Sequence, residues 1–231
     1  MKEIKQIADK VAIFKDGRFI TMLDAKTSEE TEMIKYMVGR DLGDIFNTLD
    51  RDKKIGDVLL EVKNVSSDYV DPVSFTLHKG EILGVAGMMG AGRSEIMRSI
   101  FGMDPHDSGE IVLNGAPVRI RRIRDAIRCG IAMVTEDRAT YGYVPTLSIR
   151  ENIVLPNSDI FTKGGFFQKA IIKDAVNNIC EKLKIKASSP EALLFTLSGG
   201  NKQKVVLSKW LVRNLNVLIM DEPTRGIDVG A

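Results

Sequence analysis

Two short segments carry the residue types of a site for phosphoryl transfer. Residues 217–220 are four consecutive apolar residues, and they lead directly into the adjacent carboxylates of Asp221 and Glu222. A buried strand that ends in two carboxylates is an arrangement used to hold a metal ion and to polarise a water molecule. Residues 196–204, with the sequence TLSGGNKQK, place a glycine turn at the start of a predicted helix. The free N–H groups and the positive dipole at such a helix end favour an anion.

A third segment, residues 87–94, is a glycine-rich loop between a predicted buried strand over 82–86 and a predicted helix over 94–101. Glycines let the backbone curl until successive N–H groups converge on phosphate oxygens. In this context the Ser94 hydroxyl is placed to bind Mg²⁺. Arg93 stands where a lysine is usual, and its planar guanidinium is bulkier than an ammonium. A lone glycine loop is also typical of an ordinary turn, but beside the first two segments it favours nucleotide binding, with altered handling of the γ-phosphate.

The composition is that of an ordinary globular protein. The 231 residues are 44% hydrophobic and 28% charged, and the length allows one large domain or one domain plus a fragment. The longest apolar runs are too short to cross a bilayer, and the N-terminus has no apolar signal core. Cys129 and Cys180 lack a metal-like spacing, so we expect buried or half-buried thiols. A net charge of +2 gives no general reason to expect nucleic acid as a partner.

The N-terminal part of the chain reads as helix, strand, tight turn, strand and helix. Two β-like runs at 11–14 and 19–22 are joined through an Asp-Gly pair, which is a strong hairpin signal. Residues 27–30, with the sequence TSEE, predict a capping box for the helix that follows. From about residue 41 to residue 56 the chain is charged and aperiodic, and this predicts a linker.

Strands alternate with helices along the rest of the chain. The predicted strands are 58–62, 73–77, 82–86, 131–134 and 217–220, and the predicted helices are 94–101, 169–185 and 200–213. This alternation predicts an α/β fold with a largely parallel core. One basic cluster lies on a short helix that should end at Gly130, and no aromatic residues interleave with it: Arg119, Arg121, Arg122, Arg124 and Arg128. We interpret it as a solvated helix face rather than a phosphate-binding surface.

Taken together, the Leu-Ser-Gly-Gly turn and the apolar strand with Asp-Glu-Pro-Thr resemble the ABC ATPase family, and the pairing is very specific. The resemblance implies an α/β P-loop NTPase core with an antiparallel β subdomain and a helical subdomain. It also implies an ATPase with ATP and Mg²⁺ as cofactors. By this resemblance Glu222 and Glu136 are the catalytic carboxylates, and Ser94 and Asp221 bind the metal ion. The nucleotide-binding residues would be Gly87, Gly90, Ala91, Gly92, Arg93, Ser94, Ser198, Gly199, Gly200 and Gln203.

The resemblance narrows to one branch of the family. Residues 136–138, Glu-Asp-Arg, look like the coupling loop in the second ATPase half of sugar importers of the ribose, galactose and xylose type, where most ABC proteins have a glutamine first. Residues 8–18 and 37–40 resemble the end of a first ATPase half. We therefore expect the sequence to be part of a longer protein. Residues 1–45 would be the end of the first ATPase domain and residues 46–56 a linker. Residues 57–231 would be a second ATPase domain, truncated after the loop through which two such domains meet.

The partners implied by the resemblance are transmembrane permease subunits, the first ATPase domain of the same or a second subunit, and indirectly a periplasmic or extracellular sugar-binding protein. The expected location is the cytoplasmic face of the membrane, and the expected contact with the permease runs from Glu136 through about 140–152. Two alternatives stay open. One is a soluble ABC ATPase acting on nucleic acid or ribosomes, for which the sequence offers no basic extension, coiled-coil arm or zinc pattern as support. The other is a non-catalytic nucleotide-binding regulatory half, favoured by Arg93 and Glu136 but not by an intact Glu222.

Overall fold

The computed structural model describes residues 2–15, 17–39, 54–105 and 107–225. The chain divides into two compact units, residues 1–53 and 54–229. Most of the predicted linker, and with it the predicted boundary at residues 45 and 46, lies outside the described residues, as does His106.

The N-terminal unit is a hairpin with two helices. It contains α1 (Lys2–Ile7), β1 (Lys10–Lys15), β2 (Arg18–Asp24) and α2 (Glu30–Val38). The two strands are antiparallel, with Ile13 opposite Thr21, so the predicted hairpin is confirmed. The buried apolar side chains of this unit are those of Ile13, Ala25 and Met33. The Lys15 ammonium donates to the Val38 carbonyl at 2.9 Å and ties the hairpin to the end of α2.

The predicted capping box at residues 27–30 is wrong. The residue before α2 is Glu29, and no side chain caps that helix. Instead, the Asp24 carboxylate accepts hydrogen bonds from the backbone N–H groups of Lys26 and Thr27, both at 2.9 Å. These bonds fold the segment into a turn after β2 and lower the pKa of Asp24, with the Thr27 backbone bond as the largest cause. Because Thr27 is held in that turn, the helix begins three residues later.

The larger unit combines an antiparallel sheet, a parallel strand pair and several helices. In chain order its elements are β3 (Val58–Ser67), β4 (Val70–His78), α3 (Arg93–Ile100), β5 (Ser108–Leu113), β6 (Ala116–Val118), α4 (Ile123–Arg128), β7 (Ile131–Val134), α5 (Arg138–Tyr141), α6 (Ile149–Val154), α7 (Ser158–Phe161), β8 (Thr162–Lys163), β9 (Phe166–Phe167), α8 (Lys169–Lys182), α9 (Gly199–Leu211) and β10 (Val217–Met220). Within the residues described, every helix is too short or too polar to cross a bilayer.

The antiparallel sheet has the strand order β4-β3-β5-β6. Its central strand β3 pairs on both sides, with Val62 opposite Phe75 of β4 and Ile111 of β5. Leu60, Val62 and other alternating apolar residues of β3 point into the main core, which the period-2 pattern of the sequence predicts. The predicted strands at 58–62 and 73–77 are therefore confirmed, and both run further than predicted.

The parallel pair consists of β7 and β10, with Val217 opposite Ile131 and Met220 opposite Val134. All four residues of β7 are buried, while exposure increases along β10 from buried Val217 to exposed Met220. Parallel strands end at the same edge of a sheet, so the residues that follow β7 and β10 are brought side by side. Both strands were predicted, and both are confirmed.

The predicted buried strand at 82–86 is wrong. The segment has no strand assignment, and Ile82 is 75% exposed. A strand needs a hydrogen-bonded neighbour, and among the described strands β7 and β10 pair only with each other. The largely parallel core that the alternation predicts is for this reason limited to one pair of strands.

A second core lies among the helices. Apolar residues of α6, α8 and α9 pack together in it, including Ile149, Ile153, Val176 and Val205. Helix α6 begins with a capping box, in which the Ser148 hydroxyl accepts from the Glu151 backbone N–H at 3.2 Å and the Glu151 carboxylate accepts from the Ser148 backbone N–H at 2.8 Å. The predicted helices at 169–185 and 200–213 correspond to α8 and α9 and are confirmed.

Asn152 of α6 organises the chain before that helix. Its side-chain amide donates to the carbonyls of Val144, Leu147 and Ser148 at 2.9–3.2 Å and accepts from the Val144 N–H at 2.7 Å. The residue is 4% exposed, so water does not replace these bonds.

We predict that Asn152→Ala lowers the free energy of unfolding by about 3 kcal/mol, because it leaves buried backbone groups without partners. Urea denaturation measures the change. Asn178→Ala, at an exposed position of α8, is the matched control and should stay within about 0.5 kcal/mol of the unmodified chain. Equal effects of the two substitutions would contradict the role given to Asn152.

Candidate functional site

The glycine-rich loop leads directly into α3, as the sequence predicts. Gly90 and Gly92 both have φ of +80°, a left-handed conformation that glycine adopts without steric cost. Gly92 precedes the first residue of α3, and a Cβ on it would lie 2.8 Å from the Val70 side chain. Ser94 is half-buried in the first turn of the helix. At the other end of the loop, a Cβ on Gly87 would meet the Arg93 side chain at 3.3 Å, so the loop curls back on itself.

The two carboxylates stand at the carboxyl end of β10. The Asp221 N–H donates to the Val134 carbonyl at 2.9 Å and extends the ladder between β7 and β10 by one residue. Glu222 has φ of +41°, in the left-handed region that side chains avoid at a cost of about 1–3 kcal/mol. The Arg225 N–H donates to the Glu222 carbonyl at 3.0 Å and closes a turn around it. The chain therefore reverses sharply at Glu222.

The structure brings the glycine loop and the carboxylates together. An Arg93 guanidinium nitrogen lies 3.5 Å from a Glu222 carboxylate oxygen. Because both side chains are partly exposed, we expect this ion pair to contribute little to stability. Its importance is positional, since two segments about 130 residues apart in sequence meet at one place.

The Leu-Ser-Gly-Gly turn opens α9. Ser198 precedes this helix, and its hydroxyl accepts a hydrogen bond from the Asn201 side-chain amide at 2.9 Å and a longer one from the Asn201 N–H at 3.5 Å. Gly199 and Gly200 form the first turn, with Gly199 exposed and Gly200 half-buried. The predicted glycine turn at a helix N-terminus is confirmed. Binding of a nucleotide by Ser198, Gly199 and Gly200 stays a prediction.

Glu136 and Gln203 belong to a polar network between β7, α9 and the segment after Glu222. Glu136 forms an ion pair with Arg225. One guanidinium nitrogen of Arg138 donates to the Gln203 side-chain oxygen at 3.3 Å and to the Arg225 carbonyl at 2.9 Å. Gln203 is 5% exposed, and in this structure its side chain binds Arg138. The catalytic role of Glu136 and the nucleotide contact of Gln203 stay predictions.

This network lines a polar cavity of about 440 Å³, formed by Glu136, Asp137, Arg138, Ala139 and Arg225. Asp137 caps the short helix α5, since its carboxylate accepts from the Thr140 N–H at 3.1 Å. Hydrogen bonds from Thr140, first from its side chain and then from its backbone, lower the pKa of Asp137. The sequence analysis placed Arg138 in the Glu-Asp-Arg motif, but it did not predict these contacts of Arg138 and Arg225.

The sequence analysis missed Lys209, although a signal was present. Val205 is a core residue of α9, and Lys209 follows it by one helical turn on the same face. The Lys209 ammonium donates to the Gly142 carbonyl at 2.5 Å and lies 4.9 Å from the centre of the Trp210 ring. Burial lowers the pKa of Lys209 to about 8.

The basic cluster and the two cysteines behave as predicted. All five arginines are exposed, on α4 or on the segment before it, and α4 ends at Arg128 just before Gly130, which has φ of +75°. Cys129 and Cys180 are free, half-buried thiols, and burial is the largest cause that raises the pKa of each.

A glycine loop that opens a helix, a parallel strand pair that ends in carboxylates, and an antiparallel subdomain beside a helical one define a P-loop NTPase fold of the ABC ATPase type. A family model described as "ABC transporter" matches residues 70–225. The chain belongs to the ABC transporter family, and the predicted family and fold class are confirmed.

Similarity to ATP-binding proteins of sugar import covers the whole of this chain. The whole chain is 47% identical to a ribose import ATP-binding protein RbsA of Lacticaseibacillus paracasei and covers 46% of it. It is 45% identical to the protein of the same name in Geobacillus kaustophilus and covers 47% of that. The chain thus spans about half the length of these relatives. A solved ATP-binding cassette of an ABC transporter, in its ADP conformation, shares the fold with a TM-score of 0.61 at 21% identity, over 74% of this chain and 71% of that one.

We predict that Lys209 makes the stability of this chain depend on alkaline pH. Its pKa is about 8 in the folded chain and near 10.5 when exposed, so between these values the unfolded chain binds more protons. The free energy of unfolding should therefore gain up to about 3 kcal/mol from this group as the pH rises from 8 to 10.5. Urea denaturation across this range measures it.

Lys209→Met should remove that gain, so that the free energy of unfolding of the unmodified chain increases relative to that of the variant as the pH rises from 8 to 10.5. Lys204→Met is the matched control, because Lys204 lies on the same helix and also donates to a backbone carbonyl, that of Lys184 at 3.3 Å. The control should keep the rise. Parallel curves for the unmodified chain and Lys209→Met would contradict the prediction.

Proposed function

We propose that this chain supplies most of one ATP-binding and ATP-hydrolysing domain of a subunit that powers sugar import by an ABC transporter. The similarity of the whole chain to proteins named for ribose import supports the transport process. The single observation that carries the catalytic part is the 3.5 Å approach of Arg93, at the start of α3, to Glu222, at the end of β10. It supports the proposal because a glycine-rich loop then lies beside the type of carboxylate that phosphoryl transfer uses.

The residues present fit Mg-ATP. Gly90 and Gly92 adopt a left-handed conformation that side chains disfavour, and a side chain on Gly92 would collide with Val70. Ser94 and Asp221 offer the oxygen ligands that Mg²⁺ prefers, with the remaining ligands expected from phosphates and water. When bound, ATP supplies the γ-phosphoryl group and Mg²⁺ offsets its charge.

In this proposal Glu222 polarises the attacking water. Because Glu222 pairs with Arg93 in this structure, the carboxylate is not free to act on water until that pair separates. Arg93 has to leave Glu222 and turn to the phosphates before the carboxylate can accept a proton from water. Glu136 likewise has to leave Arg225 before it can act near the phosphates. Two arginine–glutamate pairs thus hold both proposed catalytic carboxylates in the described state.

The proposal includes a facing ATPase domain and a membrane partner. Ser198, Gly199 and Gly200 would close onto ATP held by the other ATPase domain, with the dipole of α9 directed at the γ-phosphate. Transmembrane permease subunits would contact the surface around Glu136 and residues 140–152 from the cytoplasmic face of the membrane. A periplasmic or extracellular sugar-binding protein would take part only through the permease.

A non-catalytic regulatory half is the second candidate. Arg93 in place of lysine, and the pairing of both proposed catalytic glutamates with arginines, are the observations that favour it. Turnover in the presence of an added facing ATPase domain, compared between the unmodified chain and Glu222→Gln, decides between the two candidates.

We predict that the isolated chain binds Mg-ATP weakly and that Ser94→Ala reduces this affinity by about tenfold, the factor that loss of one charge-assisted contact produces. Titration with a fluorescent ATP analogue, with and without Mg²⁺, measures the change. Ser158→Ala, at an exposed serine of α7, is the control and should bind Mg-ATP like the unmodified chain. Failure of the unmodified chain to bind the analogue at millimolar concentration would overturn the proposed function.

We further predict that ATP turnover by the isolated chain is slow, because the facing domain is needed, and that Glu222→Gln abolishes it while ATP still binds. Glu191→Gln is the control, since Glu191 is an exposed carboxylate that also pairs with an arginine, Arg150 at 2.7 Å. Phosphate release with and without an added ATPase domain of the facing type gives the comparison. Equal turnover by the unmodified chain and Glu222→Gln would favour the regulatory alternative, and fast turnover by the chain alone would contradict the need for a facing domain.

A further inference from the structure

Two exposed phenylalanines lie on the hairpin formed by β8 and β9. Phe166 is 78% exposed and Phe167 is 54% exposed. Among the described strands, β8 and β9 pair only with each other, with Thr162 opposite Phe167 and Lys163 opposite Phe166. We call residues 162–167 the aromatic hairpin. Leaving two adjacent aromatic rings in water is unfavourable, and adjacent exposed apolar groups mark a surface that contacts another body.

The turn of the aromatic hairpin lies in open space. Gly164 and Gly165 have φ of +60° and +83°, the left-handed conformation that both central residues of such a two-residue turn adopt. A Cβ on either glycine would meet no atom within 4 Å apart from its neighbours in the chain. All six residues of the hairpin are exposed. The phenylalanines therefore belong to a protrusion, which can enter another body but cannot enclose a ligand.

Hydrogen bonds fix the base of the aromatic hairpin. The Gln168 N–H donates to the Phe161 carbonyl at 2.9 Å and closes the base. The Thr162 hydroxyl donates to the Ser158 carbonyl at 2.7 Å, and the Gln168 side-chain amide donates to the Phe166 carbonyl at 3.1 Å. Phe161, which directly precedes the hairpin, is 3% exposed and packs in the helical core. A fixed base therefore presents the two phenylalanines to solvent.

Positive charge is in excess near the aromatic hairpin. Three exposed lysines lie within it or in the first two turns of α8: Lys163, Lys169 and Lys173. Residues 158–174 contain two carboxylates, those of Asp159 and Asp174. The Asp159 carboxylate accepts from both terminal nitrogens of Arg213, at 3.2 and 3.0 Å, so an arginine already balances its charge. The remaining excess of positive charge favours an anionic partner.

The composition of this surface favours a lipid bilayer over a protein pocket. Ile160 and Ile171 lie within four residues of the hairpin and are 44% and 55% exposed, so they add apolar area. Protein interfaces combine apolar contacts with hydrogen bonds. The polar side chains of the hairpin are only those of Thr162 and Lys163, and the Thr162 hydroxyl already donates to a carbonyl.

Phenylalanine and lysine side chains suit the two layers of a bilayer surface. Phenylalanine enters the boundary between headgroups and acyl chains, while the flexible lysine stem lets its ammonium stay among anionic headgroups. A free phosphate would use the lysines and leave Phe166 and Phe167 in water. An anionic bilayer is therefore the partner that accounts for both kinds of side chain.

We propose that the aromatic hairpin inserts Phe166 and Phe167 into the surface of a bilayer that contains anionic phospholipids, with the nearby lysines on headgroup phosphates. This contact goes beyond the proposed function, since it requires neither a nucleotide nor a permease. It holds the helical part of the larger unit against the membrane surface. One short hairpin buries little apolar area, so the binding is weak and reversible.

Co-sedimentation of the full chain with vesicles tests the proposal. Vesicles of equal parts phosphatidylcholine and phosphatidylglycerol should bind the chain at low salt, and vesicles of phosphatidylcholine alone should bind it more weakly. Phe166→Ser combined with Phe167→Ser should lower the partition into anionic vesicles by about tenfold, because two apolar side chains are lost. Both positions are exposed, so this variant should keep the urea denaturation curve of the unmodified chain.

Phe19→Ser combined with Phe195→Ser is the matched control. Phe19 is 56% exposed and Phe195 is 57% exposed, and both lie outside the aromatic hairpin. This control should bind anionic vesicles like the unmodified chain. Equal partition of the unmodified chain and the variant at 166 and 167 would overturn the proposal.

The lysines are tested in the same assay. Lys163→Gln combined with Lys169→Gln should lower the partition into anionic vesicles by about tenfold, because two contacts with headgroups are lost. Lys182→Gln combined with Lys186→Gln makes the same change in net charge at two exposed lysines and should retain most of the binding. Equal losses in the two variants would reduce the contact to general electrostatic attraction and overturn the role of the hairpin.

Quenching of fluorescence measures insertion separately. Phe167→Trp adds an indole to the hairpin, while Trp210, the one tryptophan of the unmodified chain, is 4% exposed. Vesicles with brominated acyl chains should quench the emission of Phe167→Trp more than that of the unmodified chain. The absence of vesicle binding by the unmodified chain, or of this added quenching, would overturn the proposal.

Two further outcomes would assign the hairpin to another occupant. Release of the chain from vesicles by inorganic phosphate, at constant ionic strength and without added quenching, would assign the lysines to free phosphate. A dimer that requires Phe166 and Phe167, seen by analytical ultracentrifugation without vesicle binding, would assign the hairpin to a contact between two copies of the chain. Either result would overturn the membrane contact.

Discussion

The parallel pairing of β7 with β10 is the constraint on which the rest of the site depends. Its register places Val134 opposite Met220, so the residues that follow the two strands, with Glu136 on one side and Asp221 and Glu222 on the other, emerge at the same edge. The backbone bond from Asp221 to Val134 continues this pairing past the strand end. All four residues of β7 are buried in the main core, so a shift of register would remove apolar side chains from it.

Arginines join that edge to the segments that bind phosphate in our proposal. Arg93 reaches Glu222 from the glycine loop, Arg225 reaches Glu136, and Arg138 links Gln203 of α9 to the Arg225 backbone. The two arginine–glutamate ion pairs are partly exposed, so their contribution to stability is small, and such contacts exchange readily for other partners. An edge held by exchangeable ion pairs suits a domain that has to change its contacts when a nucleotide binds.

The helical part meets the strand layer through α9, which begins with the Leu-Ser-Gly-Gly turn and ends near Trp210 and Lys209. This helix of thirteen residues therefore carries the predicted nucleotide contact at its start and Lys209 near its end. The burial of Lys209 costs stability in the described state, since desolvation disfavours its charge.

Much of this architecture follows from short-range patterns. The hairpin of β1 and β2, the strands of the antiparallel sheet, and helices α3, α8 and α9 were predictable, because alternation, helical spacing and glycine turns are local properties of the sequence. Two predictions failed because contacts outside the predicted segment determine the local structure. Residues 82–86 have the composition of a buried strand but no strand neighbour among the described residues. The helix predicted to start near residue 28 begins later, because the Asp24 carboxylate accepts a hydrogen bond from the Thr27 N–H and holds that residue in a turn.

The sequence by itself determined the family, the segments that carry the candidate chemistry and the residue types in them, because motifs of fixed spacing are read without knowing where the chain goes. Only the tertiary structure decided which charges meet. Contacts between segments far apart in sequence determine that Arg93 lies against Glu222 and that Arg138 bridges Gln203 and Arg225. They also determine that burial, and no acid among the described residues, sets the pKa of Lys209. Strand pairing and core packing bring such segments together, and local sequence patterns do not reveal which distant segments will meet.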